Sequence, residues 1–431
     1  MKHGGPSLRF QASHPRRAAA ASSPSGDSNM HSIKATHKRA VLRLALACGA
    51  ITFGLAAVPA LAQHGPGVTD KEIRLGTWIP LTGALAAYGV PFRAGIDAYL
   101  GALNASGGVK GRKVELIVED NAYNPQRTVA AARKLITRDE VLAIAMPFGA
   151  VSASAFDYTL GEAKVPMINS YGSALEWFTP PKPGLFGAMP LYEDQARSIG
   201  RWLAKDGHKS AVVVHSALAG FVNVAAQVEP GVKSASSSVK VEQMPTKFGT
   251  TDYAPIALDL VKKSPDAVVL ILAQGEMIAA AKELRQQGYK GAFYTYSPSV
   301  ATSVLELGGP ALEGAKAIGL TTAINADTPA LKAYRDALAK YSPSEKPDYV
   351  SLIGYGLTMA TVEGLRRIDG PITREALVKA LYSMKNYDTG IFPPISYTPE
   401  RHLGVTSVQR VVAKGGQWLS VGSPVEANQA W

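Results

Sequence analysis

Short apolar runs of strand length alternate with helix-length amphipathic segments from Glu72 to Tyr296, and no other feature of the chain restricts its fold as much. Glu72 to Ile79 reads as a buried strand. Val90 to Ala105 reads as a helix, with Phe92, Ile96, Tyr99, Leu100 and Leu103 at three- and four-residue spacing. Strands are expected at Lys113 to Glu119, Val141 to Met146 and Val165 to Asn169. Helices fall between them, one opened by an Asn124 cap and Pro125 and running to Thr137, the next from Ser152 to Ala163. Such alternation builds right-handed βαβ units on a parallel sheet. The Pro- and Gly-rich stretch Trp177 to Pro190 breaks the rhythm and is expected to be a long loop ending in a domain crossover.

The alternation then restarts. Strands are expected at 211–215, 239–243, 267–272 and 292–296, with helices at Glu193 to Asp206, Phe221 to Lys233, Asp252 to Lys263 and Glu276 to Gln287. A short strand near Ala317 to Thr321 and three helices, 329–340, 349–367 and 374–383, follow. Strands with turns at Arg401-His402 and Gly415-Gly416 close the chain. The fold class is therefore α/β, with two doubly wound parallel-sheet lobes. The expected division is residues 63–190 with 323–392 in lobe 1, and 191–322 with 393–431 in lobe 2. A hinge between two such units is a natural small-molecule cleft.

Residues 1–62 read as an extension and signal peptide. His37-Lys38-Arg39 and Arg43 precede an apolar run from Leu44 to Val58, and Ala60-x-Ala62 forms a cleavage site. Alternatives are an uncleaved anchor, or lipid attachment at Cys48, the only cysteine; Met30 reads as the working initiator. Cleavage at Ala62 gives a periplasmic protein without thiols. The net charge of +11 is concentrated here. Residues 1–62 hold eight Lys/Arg and one acidic residue, so the remainder has 37 basic and 33 acidic residues, a net of +4. A nearly balanced surface argues against a nucleic-acid partner.

Enzyme signatures are missing. The chain has no phosphate-binding Gly-x-x-x-x-Gly-Lys-Ser/Thr loop, no Gly-x-Gly-x-x-Gly after its first strand and no Gly-x-Ser-x-Gly elbow. His64, His208, His215 and His402 lack metal-ligand spacing. Neither an enzyme activity, a cofactor nor a metal is expected. What remains is binding chemistry at strand ends: Pro80 to Gly89 with Tyr88, the loop Phe148-Gly149-Ala150, and Tyr171-Gly172-Ser173. Small residues admit a ligand to backbone amides, hydroxyls add donors, and a helix N-terminus favours an anion. Together these suit a carboxylate. The aromatics Trp78, Tyr88, Phe148, Tyr171, Phe221, Tyr294 and Tyr296 are candidates for the cleft wall or for core packing.

Several motifs together resemble a known family. They are Ile73-Arg74-Leu75-Gly76, PLTGALAAYG at 80–89, Leu103 to Arg112, Val118-Glu119-Asp120, Asn124-Pro125, Val165-Pro166-Met167-Ile168, Pro265-Asp266-Ala267-Val268 and Leu284 to Gly288. The chain resembles the type I periplasmic solute-binding proteins of ABC transporters, in their branched-chain amino acid and amide branch. The resemblance implies two lobes joined by a three-crossing hinge, capture of a small carboxylate or amino acid-like solute, and delivery to a membrane permease. A ligand-sensing receptor using the same cleft is the alternative. By position it implies contacts from Tyr88, Gly149, Ala150, Tyr171 and Ser173, with the Ser173 hydroxyl on the ligand's carboxylate. Phe221, Gln274 and Ser297 are the second-lobe candidates. Ser297 stands where the family has an acidic partner for an α-ammonium, and Ser216 to Phe221 departs from its Asp-x-x-Tyr-Gly, so an α-amino acid ligand fits poorly.

Overall fold

The computed structural model describes residues 64–427. A first sheet contains five parallel strands, β1 (Glu72–Ile79), β2 (Lys113–Asp120), β3 (Ala143–Ala145), β4 (Met167–Ile168) and β5 (Leu185–Phe186), in the order β2-β1-β3-β4-β5. Between them lie α1 (Ala86–Ala105), α2 (Pro125–Thr137), a 3-10 turn at Ala150–Ala155, a π-helical stretch at Asp157–Glu162, and α3 (Leu175–Phe178). Residues Glu72 to Ile79 pair in register with Lys113 to Asp120. Asn124 caps α2 as its sequence foretells, its side chain accepting from the Arg127 amide at 3.0 Å.

After β5 the chain passes to a second sheet through α4 (Tyr192–Lys205). Here β6 (Ser210–Ser216), β7 (Lys240–Thr246), β8 (Ala267–Ile271), β9 (Ala292–Thr295) and β10 (Lys316–Gly319) run parallel in the order β10-β9-β8-β6-β7. The helices are α5 (Ala219–Ala225), α6 (Val228–Ser234), α7 (Ala254–Lys263), α8 (Gln274–Gln286) and α9 (Thr302–Gly308). The chain then returns for α10 (Pro329–Tyr341), α11 (Tyr349–Arg366) and α12 (Arg374–Tyr382), of which α10 and α11 pack on α1. It passes across a third time to β11 (Ser407–Lys414), β12 (Gln417–Ser420) and β13 (Val425–Glu426), with β11 antiparallel to β10. Helices α1 and α11 touch backbone to backbone: a Cβ on Gly95 would fall 1.9 Å from the Ser351 carbonyl oxygen.

Four local expectations change. The stretch 152–163 is not one α-helix but a 3-10 turn followed by π-helical geometry. The 177–190 loop contains β5, two residues too short to leave a periodic signal. The helix expected over 221–233 breaks between α5 and α6, because Pro230 has no N–H to donate to Ala226. Residues 395–404, read from sequence with the second lobe, contact the first sheet. The Gly404 amide donates to the Gly187 carbonyl at 2.7 Å, and the Tyr397 hydroxyl to Asn169 Oδ1 at 2.8 Å. The third passage therefore follows Gly404.

Candidate functional site

The 80–89 loop is held from below by one carboxylate. Asp120, at the end of β2, accepts from the amides of Leu81 at 3.0 Å, Thr82 at 3.4 Å and Ala122 at 2.9 Å, and from the Thr82 hydroxyl at 2.5 Å. Burial pushes its pKa up, but these bonds outweigh that and leave it below the usual carboxylate range. With the loop fixed, Tyr88 enters the first turn of α1 and points to the other sheet's loops. Its hydroxyl lies 3.4 Å from the Pro298 carbonyl oxygen, beside the Gln274 backbone.

Below Tyr88 the second and third expected walls are largely committed to one another. The Gly149 amide donates to the Tyr171 carbonyl at 2.8 Å, and the Tyr171 amide to the Pro147 carbonyl at 2.9 Å. Gly149 has φ +80°, and a Cβ there would lie 2.4 Å from the Tyr123 ring. The amides of Ala150 and Val151 lie at the Tyr123 hydroxyl. Phe148 and Tyr171 pack around Phe92, Tyr171 stacked on it at 5.0 Å and Phe148 edge-on at 5.5 Å. Gly172 sits against Gly149, 3.0 Å from its carbonyl carbon to an ideal Cβ. Ser173 differs: its hydroxyl is buried and has no hydrogen-bond partner.

The second-sheet candidates separate. Gln274 opens α8 near Tyr88, its side chain reaching Ser303 Oγ at 3.3 Å. Ser297 donates its amide to Gln195 Oε1 at 3.1 Å in a short 3-10 turn, Ser297–Ser299. Ser299 is fully buried, and its hydroxyl also has no partner. Phe221 instead packs on the second core beside Phe248, 6.5 Å between rings. Trp78 and Tyr294 are core residues: the Trp78 indole donates to Ser152 Oγ at 2.9 Å, while Tyr294 bonds to Asp206 and His208.

Tyr296 after β9, already a cleft-wall candidate, joins Tyr88 and Tyr171, and so do three tyrosines that the sequence did not single out: Tyr123 after β2, Tyr192 at the start of α4 and Tyr349 at the start of α11. Tyr192 and Tyr296 meet edge-on at 5.6 Å. Burial raises the pKa of all six, and ionised Tyr192 would repel Tyr171, Tyr296 and Tyr349. The phenols therefore remain protonated donors at neutral pH. The charged side chains acting on these hydroxyls are acidic, Asp348, Glu276 and Glu193. Glu276 is occupied by the amides of Gly249 at 2.5 Å and Ala273 at 3.2 Å. Asp348 caps α11 at the Val350 amide, 2.8 Å, and also accepts from the Thr302 amide of α9 at 3.1 Å. Among the described residues no group of three or more His, Cys, Asp or Glu could hold a metal ion.

A periplasmic binding protein family model matches residues 72–417. The chain belongs to the periplasmic binding protein family. Family members are solute-binding proteins, and the two-sheet α/β architecture is theirs. A Leu/Ile/Val-binding protein homolog 7 of Brucella abortus is 26% identical over 331 residues, 72% of this chain and 81% of that one. A fatty acid ABC transporter substrate-binding protein from Thermomonospora curvata superposes with TM-score 0.75 at 24% identity, covering 85% of this chain and 95% of that one. An ABC transporter solute-binding protein from R. palustris, in complex with benzoate, gives TM-score 0.70 at 18% identity over 81% of this chain and 96% of its own. A branched chain amino acid ABC transporter protein from Thermus thermophilus with bound valine gives 0.74 at 18%, over 83% and 97%. In the periplasmic binding protein described above, no helix among the described residues is long and apolar enough to cross a membrane.

Proposed function

We propose that this periplasmic binding protein captures a small carboxylate-bearing solute between its two lobes outside the cytoplasm and delivers it to an ABC permease. The observation that carries the reading is the Ser173 hydroxyl, buried without a partner at the end of a first-sheet strand and two residues from Tyr171. An unsatisfied buried hydroxyl costs about 1–3 kcal/mol, and an acceptor-rich ligand removes that cost. Valine, benzoate and fatty acids, the ligands of the structural neighbours, share a carboxylate and little else. Tyr88, Tyr171 and Ser173 form the first-lobe wall, with Gln274 and the 297–299 turn opposite. Among the described residues the lobes comprise 64–190 with 323–404, and 191–322 with 405–427. Export rests on the leader features of residues 1–62, which lie outside the described residues.

A melting-temperature screen of branched-chain amino acids, aromatic carboxylates, short acids and amides tests the reading. A ligand at 100 times its dissociation constant adds about 2.7 kcal/mol. Ser173→Ala is expected to abolish most of that shift while leaving the unliganded protein at least as stable as before, since it removes an unsatisfied buried hydroxyl. No shift from any compound would count against solute capture; an unchanged shift in the variant would remove Ser173 from the site.

A further inference from the structure

The second sheet's contribution near Tyr88 comes from the turn Ser297-Pro298-Ser299, and most of its polar groups are used. The Ser297 amide goes to Gln195, the Pro298 carbonyl to Tyr88, and the Ser299 amide to the Tyr296 carbonyl at 3.0 Å. The Ser299 hydroxyl of this turn is buried and unpartnered, as the Ser173 hydroxyl is on the first-lobe side. Both are hydroxyls that need an acceptor, and the surrounding phenols add further O–H donors.

An ammonium needs the opposite, three acceptors and preferably a carboxylate. Two of the three acidic groups around the tyrosines, Glu276 and Asp348, are committed. Both oxygens of Glu276 and both of Asp348 take backbone amides, three of them at or beside helix starts and one, Gly249, in the loop after β7. Glu193 keeps one unpartnered oxygen, but its other contacts are with its own amide and that of Leu175, at α3. At the Tyr88 end of the site, between Glu276 and Asp348, no carboxylate oxygen is left for an ammonium, and the one unpartnered acidic oxygen, on Glu193, lies beside Tyr192 and α3.

Resting on the solute-capture reading above, we propose that the ligand is an apolar or aromatic monocarboxylate without an ammonium group, gripped between the Ser173 and Ser299 hydroxyls. The aromatic walls set by Tyr88, Tyr192 and Tyr296 accept its apolar body.

The test is isothermal titration at neutral pH with matched pairs: 4-methylpentanoate against leucine, 3-phenylpropanoate against phenylalanine, and benzoate alone. At least one acid is expected to bind tenfold or more tighter than its amino acid partner, or benzoate to bind while neither amino acid does. Ser299→Ala is expected to weaken that acid at least threefold with no loss of melting temperature, and Glu193→Gln to leave it unchanged. Amino acids binding as tightly as their acids, or more so, would overturn the proposal while leaving solute capture standing. So would a Ser299→Ala variant with undiminished affinity, or a Glu193→Gln variant that loses binding. No heat from any of the five compounds would overturn this proposal, while amides and short acids in the melting screen would still decide solute capture separately.

Discussion

The Tyr88 hydroxyl lies 3.4 Å from the carbonyl oxygen of Pro298, joining the first turn of α1 to the turn after β9. The two groups belong to the surroundings of different sheets, so this bond forms only when those surroundings are close together. At 3.4 Å it is a long hydrogen bond, and its net worth falls at the low end of about 0.5–1.5 kcal/mol. Tyr88→Phe keeps the ring and removes the bond. Ligand affinity is expected to fall about two- to tenfold, chiefly through faster dissociation, with the unliganded melting temperature nearly unchanged. Stopped-flow fluorescence with whichever ligand the screen returns reads this directly; equal dissociation rates would show that the contact does not latch the bound state.

Asp120 links acid stability to the shape of the 80–89 loop. Its pKa is lowered in the fold, since bonds from Leu81, Thr82 and Ala122 outweigh its partial burial. A depressed carboxylate contributes stability that is complete above its unfolded value, about 3.9, and is lost as pH falls through the folded value. Melting temperature is therefore expected to hold above about pH 5 and drop below about pH 4, in part through this group. Asp120→Asn should flatten that drop and cost about 1.5–3 kcal/mol at neutral pH, because the accepted hydrogen bonds lose their charge assistance. Thermal melts of both proteins from pH 3 to 6 check it, and parallel curves would assign the acid sensitivity elsewhere.

Gly149 cannot carry a side chain. Its φ of +80° is one that L-residues rarely adopt, and a Cβ would sit 2.4 Å from a Tyr123 ring carbon. Tyr123 is itself fixed by its backbone amide, which donates to Asn121 Oδ1 at 3.1 Å, with φ +60°. Gly149→Ala is expected to destabilise by about 1–3 kcal/mol, in line with strain at such positions. Urea denaturation measures it, and the double variant Gly149→Ala with Tyr123→Ala should recover the steric share but not the backbone share.

The regular part of this fold was readable because its causes are local. Strands β1, β6 and β8 are largely apolar runs several residues long, β2 carries an apolar centre between charged ends, and α2 announces itself with Asn124 and Pro125. What could not be read is set by tertiary contact. Strand β5 is two residues long and exists because β4 offers it an edge, and the 150–162 stretch runs as a 3-10 turn and a π-helical stretch, not as the single α-helix its spacing suggests. The site divides the same way. Tyr88, Tyr171 and Ser173 sit on strand-end loops, where position alone suggests a ligand. Tyr192, Tyr349 and Ser299 come from helix starts and a turn, and only the crossings of the chain bring them near.

Residues 395–404 are joined to the first sheet through a buried pair, Tyr397 and Asn169. The Tyr397 hydroxyl donates to Asn169 Oδ1 at 2.8 Å, and Asn169 Nδ2 donates to Thr361 Oγ1 at 3.0 Å. Both Tyr397 and Asn169 are fully buried. One side chain thus ties the end of β4, helix α11 and the segment before the third passage. Tyr397→Phe preserves the ring that packs edge-on to Phe186 at 5.4 Å but leaves a buried amide oxygen without its donor. The expected cost is about 1–3 kcal/mol, the penalty for a buried unsatisfied acceptor. Pairing it with Asn169→Leu, which removes the orphaned oxygen, should make the second change cheaper than it is alone. A double-mutant cycle by chemical denaturation measures that coupling, and additive losses would mean that the two side chains act independently.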